Sequence, residues 1–395
     1  MDKKTIRDIA LAGKRVLMRA DFNVPLDGTT ITDDTRIRAA LPTITYILEN
    51  GACLVLMSHL GRPKGVTPSL SLQPVADRLS ELLGKTVKMA PDVVGDEVQA
   101  MAESLAAGKV LLLENTRFYG EEKNNDADFA AKLAAMGDVF ANDAFGTAHR
   151  AHASTVGVTA SLEAVAGFLI EKEITFLGKA VTDPESPYVV ILGGAKVSDK
   201  IAVIENMLTK ADSILIGGGM ANTFLKAQGL EMGDSLVEDD AVETAKALLA
   251  KAGGKLVLPV DAVVADAFDN DAAIATVDAD AVQPGWRILD IGPKTVALFQ
   301  ETLEAAKTVA WNGPMGVFEI EEFANGTNAL AKVLEQTTWE SGTVSIIGGG
   351  DTASAAAQAG AAQRMTHIST GGGASLELLG GRVLPGVAAL DEADA

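Results

Sequence analysis

The pattern that most constrains this chain is a repeated alternation. Short apolar, largely β-branched runs are each followed by a polar or glycine-rich turn and then by an Ala- and Leu-rich amphipathic stretch. The runs fall at 15–18, 53–57, 110–113 and 138–141, and again at 188–192, 213–216, 255–258, 308–311 and 343–347. They are apolar on both faces, as strands buried in a parallel sheet are. The segments Asp126–Met136 and Asp239–Lys251 between them have the spacing of helices with one apolar face. Strand, helix, strand with short connections predicts an α/β fold. At 395 residues the chain accommodates two doubly wound, Rossmann-like parallel-sheet domains. Residues Phe168–Val181 read as one helix, and Pro184 and Pro187 break the chain before the next strand. Two domains joined by a helix are therefore expected, 1–168 and 169–374. The last five residues, Asp391 to Ala395, read as a frayed tail.

Composition narrows the function. The net charge is −20, which repels nucleic acid and anionic membranes at long range. No apolar run is long enough for a membrane helix, and Lys14 and Arg15 interrupt anything resembling a signal peptide, so a cytoplasmic protein is expected. The single cysteine, Cys53, excludes an internal disulfide and a Cys-rich metal cluster. Charge is spread unevenly. Residues 1–170 carry 18 Lys+Arg against 21 Asp+Glu, and nine of the twelve arginines, so the first half is the better candidate for gripping a small anion.

In doubly wound folds ligands sit beyond the carboxyl ends of the strands. In the first half those positions deliver Asp21, Asn23, Arg36, His59, Arg62, Arg117, His149 and Arg150. Gathered on one sheet edge they make an anion basket; the alternative is a set of surface arginines paired with nearby acids. In the second half the strand ends deliver glycines instead: Gly193-Gly194, Gly217-Gly218-Gly219 and Gly348-Gly349-Gly350, with a further cluster at Gly371-Gly372-Gly373. Glycines at a strand-to-helix turn let phosphate oxygens approach backbone amides at the positive end of a helix. Lys196 and Lys200 stand four apart, as neighbours on a helical face do. Asp351 opens a helix, where it could hold Mg²⁺ on a nucleotide phosphate or act as an N-cap.

Gly348 to Ala353 fits a dinucleotide fingerprint, but Ile368-Ser369-Thr370 occupies the place of the acidic residue that such a site needs about 20 positions on. A Walker-type phosphate loop is absent. What remains is an anion-binding first domain facing a nucleotide-binding second domain, the layout of a small-molecule kinase. A two-domain anion-binding protein without catalysis and a Rossmann-type dehydrogenase are the alternatives.

Seven segments, in order along nearly the whole chain, resemble the phosphoglycerate kinase family: Asp21–Pro25, Ser58–Pro63, Glu114–Phe118, Asn142–Arg150, Gly193–Lys200, Trp311–Glu319 and Gly348–Thr352. The resemblance implies reversible phosphoryl transfer between 1,3-bisphosphoglycerate and ADP, giving 3-phosphoglycerate and ATP, with Mg²⁺. It implies that Asp21, Asn23, Arg36, His59, Arg62, Arg117 and Arg150 hold 3-phosphoglycerate. It assigns Lys196, Lys200, Asn312, Glu319, Gly349, Gly350, Asp351 and Thr352 to the nucleotide, with Gly217 and Gly218 lining the adenine pocket and Asp351 the residue linked to the metal. It further implies a monomer whose segment 375–395 returns to the first domain. Two residues depart from the family pattern, Thr116 for an aliphatic residue and Asp234 for a lysine; neither is expected at the transfer site. The attacking atom in this reaction is already an oxyanion, so no general base is needed. Arg36, Lys200 and the backbone amides of Gly349, Gly350 and Gly371–Gly373, Gly372 among them, would neutralise the phosphoryl group in flight.

Overall fold

A computed structural model describes residues 2–269 and 271–393. The chain divides into two compact units, with breaks between Thr175 and Phe176 and between Arg382 and Val383.

In the first unit, besides a short antiparallel pair at Leu26–Asp27 and Thr30–Ile31, the strands are β1 (Arg15–Arg19), β2 (Cys53–Met57), β3 (Val87–Met89), β4 (Val110–Leu112), β5 (Val139–Asn142) and β6 (Ala164–Ala166). These six labelled strands form one parallel sheet in the order β3-β4-β2-β1-β5-β6. Apolar residues on both faces are buried, as the runs require. Helix Thr35–Glu49 covers one face with Ile37, Ala40, Ile44 and Ile47, a helical spacing, all at 2% exposure or less. The register pairs Arg19 with Met57 on one side and with Asn142 on the other. The segments leaving β1, β2 and β5 therefore start level, and this is what gathers their residues on one edge.

The second unit contains β7 (Tyr188–Leu192), β8 (Ser213–Ile216), β9 (Leu256–Val257), β10 (Asp261–Ala265), β11 (Ile274–Asp278), β12 (Arg287–Ile291), β13 (Thr308–Asn312), β14 (Val344–Gly348) and β15 (His367–Ile368). Six of them make a parallel sheet in the order β9-β8-β7-β13-β14-β15. The other three form an antiparallel sheet, β11-β10-β12, which the sequence reading missed. Along β11 half-buried Ala275 and Val277, packed against the core, alternate with exposed Ile274, Thr276 and Asp278, because only one side of this sheet reaches the core.

Several expectations are corrected. Phe168–Val181 is not one uniform α-helix: α-helical turns at Phe168–Glu173 and Lys179–Thr182 flank a π-helical segment, Ile174–Gly178, with the unit division inside it. The divisions consequently fall later than the expected 168 and 374. Residues 375–382 stay with the second unit because helix Gly373–Leu379 packs on helix Ile201–Leu208, with Asn206 Nδ2 donating to the Leu379 carbonyl at 2.7 Å. From Val383 onward the chain lies on the first unit. Gly386 N donates to Ala148 O (2.8 Å), and Asn142 Nδ2 donates to Gly386 O (3.0 Å). The expected frayed tail is tied down as far as it is described: Lys4 N donates to Asp391 O at 2.9 Å, and Lys3 pairs with Glu392. Residues 394 and 395 of that tail lie outside the described residues. No helix among the described residues is long and apolar enough to cross a membrane.

Candidate functional site

On the first unit, the level ends of β1, β2 and β5 bring the expected residues together. Arg36, from the first turn of its helix, reaches Asp21 just past β1, with Nη1 donating to Oδ2 at 3.1 Å. Asn23 Oδ1 accepts the Gly61 amide at 2.8 Å, and Arg117 Nη1 donates to the Gly61 carbonyl at 2.9 Å, so the two residues brace the turn that carries His59 and Arg62. His59 is 3% exposed. Burial first, then the fields of Arg19, Arg117 and Arg36, push its pKa well below the usual range, so it is neutral at pH 7. Arg117 is pulled down to about 10 by burial and by Arg19, with Arg62 adding to the repulsion and Glu122 and Asp21 opposing it. These mutual fields place Arg36, His59, Arg62 and Arg117 in one electrostatic neighbourhood. Arg150 joins it through its effect on His152, whose pKa is pushed down to about 4, chiefly by burial. Arg62 and Arg150 are exposed, and His149 is half-buried after the turn Phe145–Thr147. The Arg117 Nε is buried without a hydrogen-bond partner among the described residues. A cation cluster held together against its own repulsion, with a donor left over, is built for a small polyanion.

The sequence reading missed what lies beneath. Arg19, Glu122 and Ser154 are fully buried under the basket. Arg19 stands at the end of β1 beside the residues that were picked out; its position carried the signal.

On the second unit, Lys200 is the buried cation. Its Nζ donates to the Asn312 backbone carbonyl at 2.7 Å and to Asn312 Oδ1. Burial pulls its pKa down to about 8, against Asp199 and Asp351, which favour the charged form. Asn312 Nδ2 donates to Gly348 O at 2.8 Å, and Thr352 Oγ1 accepts from the Gly313 amide at 2.7 Å. The ends of β13 and β14 and the start of helix Gly350–Gln358 thus form one frame around Lys200. Gly349 is the N-cap of that helix with φ +97°, a conformation only glycine adopts without strain. Asp351 is therefore not the cap; it is exposed in the first helical turn. The expected helical face shared by Lys196 and Lys200 is overturned. The helix begins only at Ile201, so Lys200 turns inward while Lys196, in the preceding turn, is exposed.

Beside this frame is a cavity of about 540 Å³, lined among others by Gly218, Leu236, Phe268, Pro314, Glu319 and Asp351. Gly218 has φ +66°, and a Cβ there would stand 2.6 Å from Gly194 N, so the turn closes only around glycine. Gly217 is not among the lining residues; it packs behind, against Met315. Asp234, which is not expected at the transfer site, lines this cavity. Gly372 has φ +52° and is the N-cap of helix Gly373–Leu379. Among the described residues no group of three or more His, Cys, Asp or Glu could hold a metal by itself. A single carboxylate completed by substrate phosphates is the ordinary donor set for Mg²⁺, and Asp351 fits it.

An anion basket on one α/β unit, with a buried lysine, glycine-lined turns and a nucleotide-sized cavity on the other, defines a phosphotransferase acting on a small anionic acceptor. The phosphoglycerate kinase family model matches residues 6–382, and the chain belongs to that family. It is 59% identical to the phosphoglycerate kinase of Chloroflexus aurantiacus over 100% of both chains, and 58% identical to the cytosolic enzyme of Triticum aestivum over 98% of each. The solved structure of phosphoglycerate kinase from Coxiella burnetii matches with a TM-score of 0.90 and 42% identity over 98% of each chain. The protein is a kinase of glycolysis, transferring a phosphoryl group reversibly between 1,3-bisphosphoglycerate and ADP to give 3-phosphoglycerate and ATP. The dehydrogenase and pure binding-protein readings fall with this assignment.

Proposed function

We propose that the basket of Asp21, Asn23, Arg36, His59, Arg62, Arg117 and Arg150 holds 3-phosphoglycerate, and that the cavity and the Lys200 frame hold the nucleotide. The observation that carries this reading is the crowding of arginines around the neutral His59, with Asp21 and the buried Glu122 opposing only part of their mutual repulsion. The phosphate and carboxylate of the acceptor would satisfy them, including the leftover Arg117 donor. On the nucleotide side, Gly218, Gly219, Leu236 and Phe268 offer an apolar slot for a base, with Glu319 at its rim for the ribose hydroxyls. Lys196, Asn312, Thr352 and the amides at Gly349 and Gly350 surround the phosphates. Asp351 would hold Mg²⁺, which when bound neutralises phosphate charge.

No residue in either half-site is placed as a general base, and the reaction needs none. A carboxylate attacks in one direction and a phosphate oxygen in the other. Arg36 and Lys200 supply positive charge to the phosphoryl group in flight, with the amides around Gly372 as further donors. Transfer requires the two reacting oxygens to meet in line with water excluded. We place that step in an approach of the two units driven by both ligands together. The protein works in the cytoplasm as a monomer. A coupled assay with 3-phosphoglycerate and Mg-ATP tests the reading; no ADP formation overturns it, and Arg117→Ala raises KM for 3-phosphoglycerate well above that for ATP.

A further inference from the structure

Glu122 has no role in the reaction as described, yet its carboxylate is completely buried directly beneath the basket. A buried carboxylate persists only where its oxygens are well satisfied. Here Oε2 accepts the Ser154 amide at 2.9 Å and Oε1 accepts the Ser154 hydroxyl at 2.6 Å. Thr116, the residue that departs from the family's aliphatic pattern, adds its hydroxyl to Oε1 at 3.4 Å. The Glu122 backbone carbonyl accepts from Ala153 N at 2.9 Å, and His152 Nδ1 stands 3.8 Å from Oε1.

The chain of bonds continues in one direction only. Ser154 Oγ gives its proton to Glu122 and accepts from Arg19 Nε at 2.8 Å. Arg19, which can only donate, reaches His59 Nδ1 with Nη2 at 3.0 Å. Nδ1 is therefore an acceptor, and the neutral ring carries its hydrogen on Nε2. One polar path runs from Glu122 through Ser154 and Arg19 to His59. It ties the segment after Arg117, the segment after Arg150 and the turn after β2 to the end of β1.

We propose that Glu122 is a positioning residue of the anion basket: by way of Ser154 and Arg19 it locks the Arg117, Arg150 and His59 segments in one frame and sets His59 to present Nε2–H to the acceptor. This rests on the assignment of the basket to 3-phosphoglycerate. It has a consequence opposite in sign to simple electrostatics. Removing a negative charge from beneath a cation cluster strengthens its pull on an anion. Loss of the frame weakens it, because buried donors lose their partner and the segments lose their mutual alignment.

The test is calorimetry on the full chain with 3-phosphoglycerate and, separately, Mg-ADP, together with ¹⁵N NMR of the His59 ring. Glu122→Gln keeps the shape and removes the charge. The expected result is about tenfold weaker 3-phosphoglycerate binding, unchanged Mg-ADP binding, and a His59 ring that shifts from the Nε2–H form to a mixture of tautomers. Ser154→Ala keeps the Glu122 charge and breaks the path; it should weaken acceptor binding in the same direction with the same tautomer change, and it decides the matter alone if Glu122→Gln does not fold. Equal or tighter 3-phosphoglycerate binding in the folded variants, or an unaltered His59 tautomer, overturns the proposal while leaving the basket assignment intact. No saturable 3-phosphoglycerate binding by the unaltered chain overturns both.

Discussion

Lys200→Met sets chemistry against stability at one residue. Lys200 is 7% exposed, and burial moves its pKa from the ordinary 10.5 to about 8. At ~1.4 kcal/mol per pKa unit, folding with this lysine charged costs ~3 kcal/mol at pH 7. The folded value lies below the unfolded one, so the unfolded chain holds the proton more tightly. The penalty is complete below about pH 8 and fades as pH rises toward 10.5. Methionine removes it, and leaves the two Asn312 oxygens without the donor they now have, at ~1–3 kcal/mol. The variant should therefore range from neutral to ~2 kcal/mol more stable than the parent at pH 7, and become less stable than the parent near pH 10. Its kcat should fall by ~100-fold or more. Urea unfolding at both pH values and a coupled activity assay read these outcomes. Destabilisation by more than ~2 kcal/mol at pH 7, or the same difference at both pH values, would refute the view that the fold holds Lys200 charged for function at its own expense.

In the unaltered protein the same titration should appear in kcat/KM for Mg-nucleotide as an alkaline limb near pH 8, moved upward by Asn312→Asp; a flat profile to pH 9.5 would remove Lys200 from that step. Arg36→Ala should lower kcat by ~1,000-fold with 3-phosphoglycerate binding largely kept, by analogy with loss of an arginine finger; kcat within tenfold of the parent marks it as a partner of Asp21 alone. Asp351→Asn should weaken Mg-ADP binding and spare 3-phosphoglycerate, and calorimetry showing both affected alike would make it a structural residue of its helix. The radius of gyration in solution should fall with 3-phosphoglycerate and Mg-nucleotide together and much less with either alone; no change with both bound would require a different route to in-line transfer.

The local alternation of buried runs and amphipathic stretches determined the α/β class, because a strand apolar on both faces has no stable place except inside a parallel sheet. Strand ends then named most of the candidate site, since ligands collect there whatever the side chains are. Arg36, His59, Arg117, Lys200, Gly218 and Gly349 were all legible in this way. Three kinds of feature were not. The β11-β10-β12 sheet is antiparallel and partly solvated, so its pattern lacks the continuous apolar run that marked the others. The inward turn of Lys200 and the outward one of Lys196 depend on where a helix starts, and helix starts are set by tertiary contacts such as the Asn312 frame. The layer of Arg19, Glu122 and Ser154 joins Ser154 to Arg19 across 135 positions and to Glu122 across 32. No local pattern distinguishes a glutamate destined for solvent from one whose oxygens will be enclosed; register decided that, by bringing β1, β2 and β5 to a common end and leaving the acid no water to face.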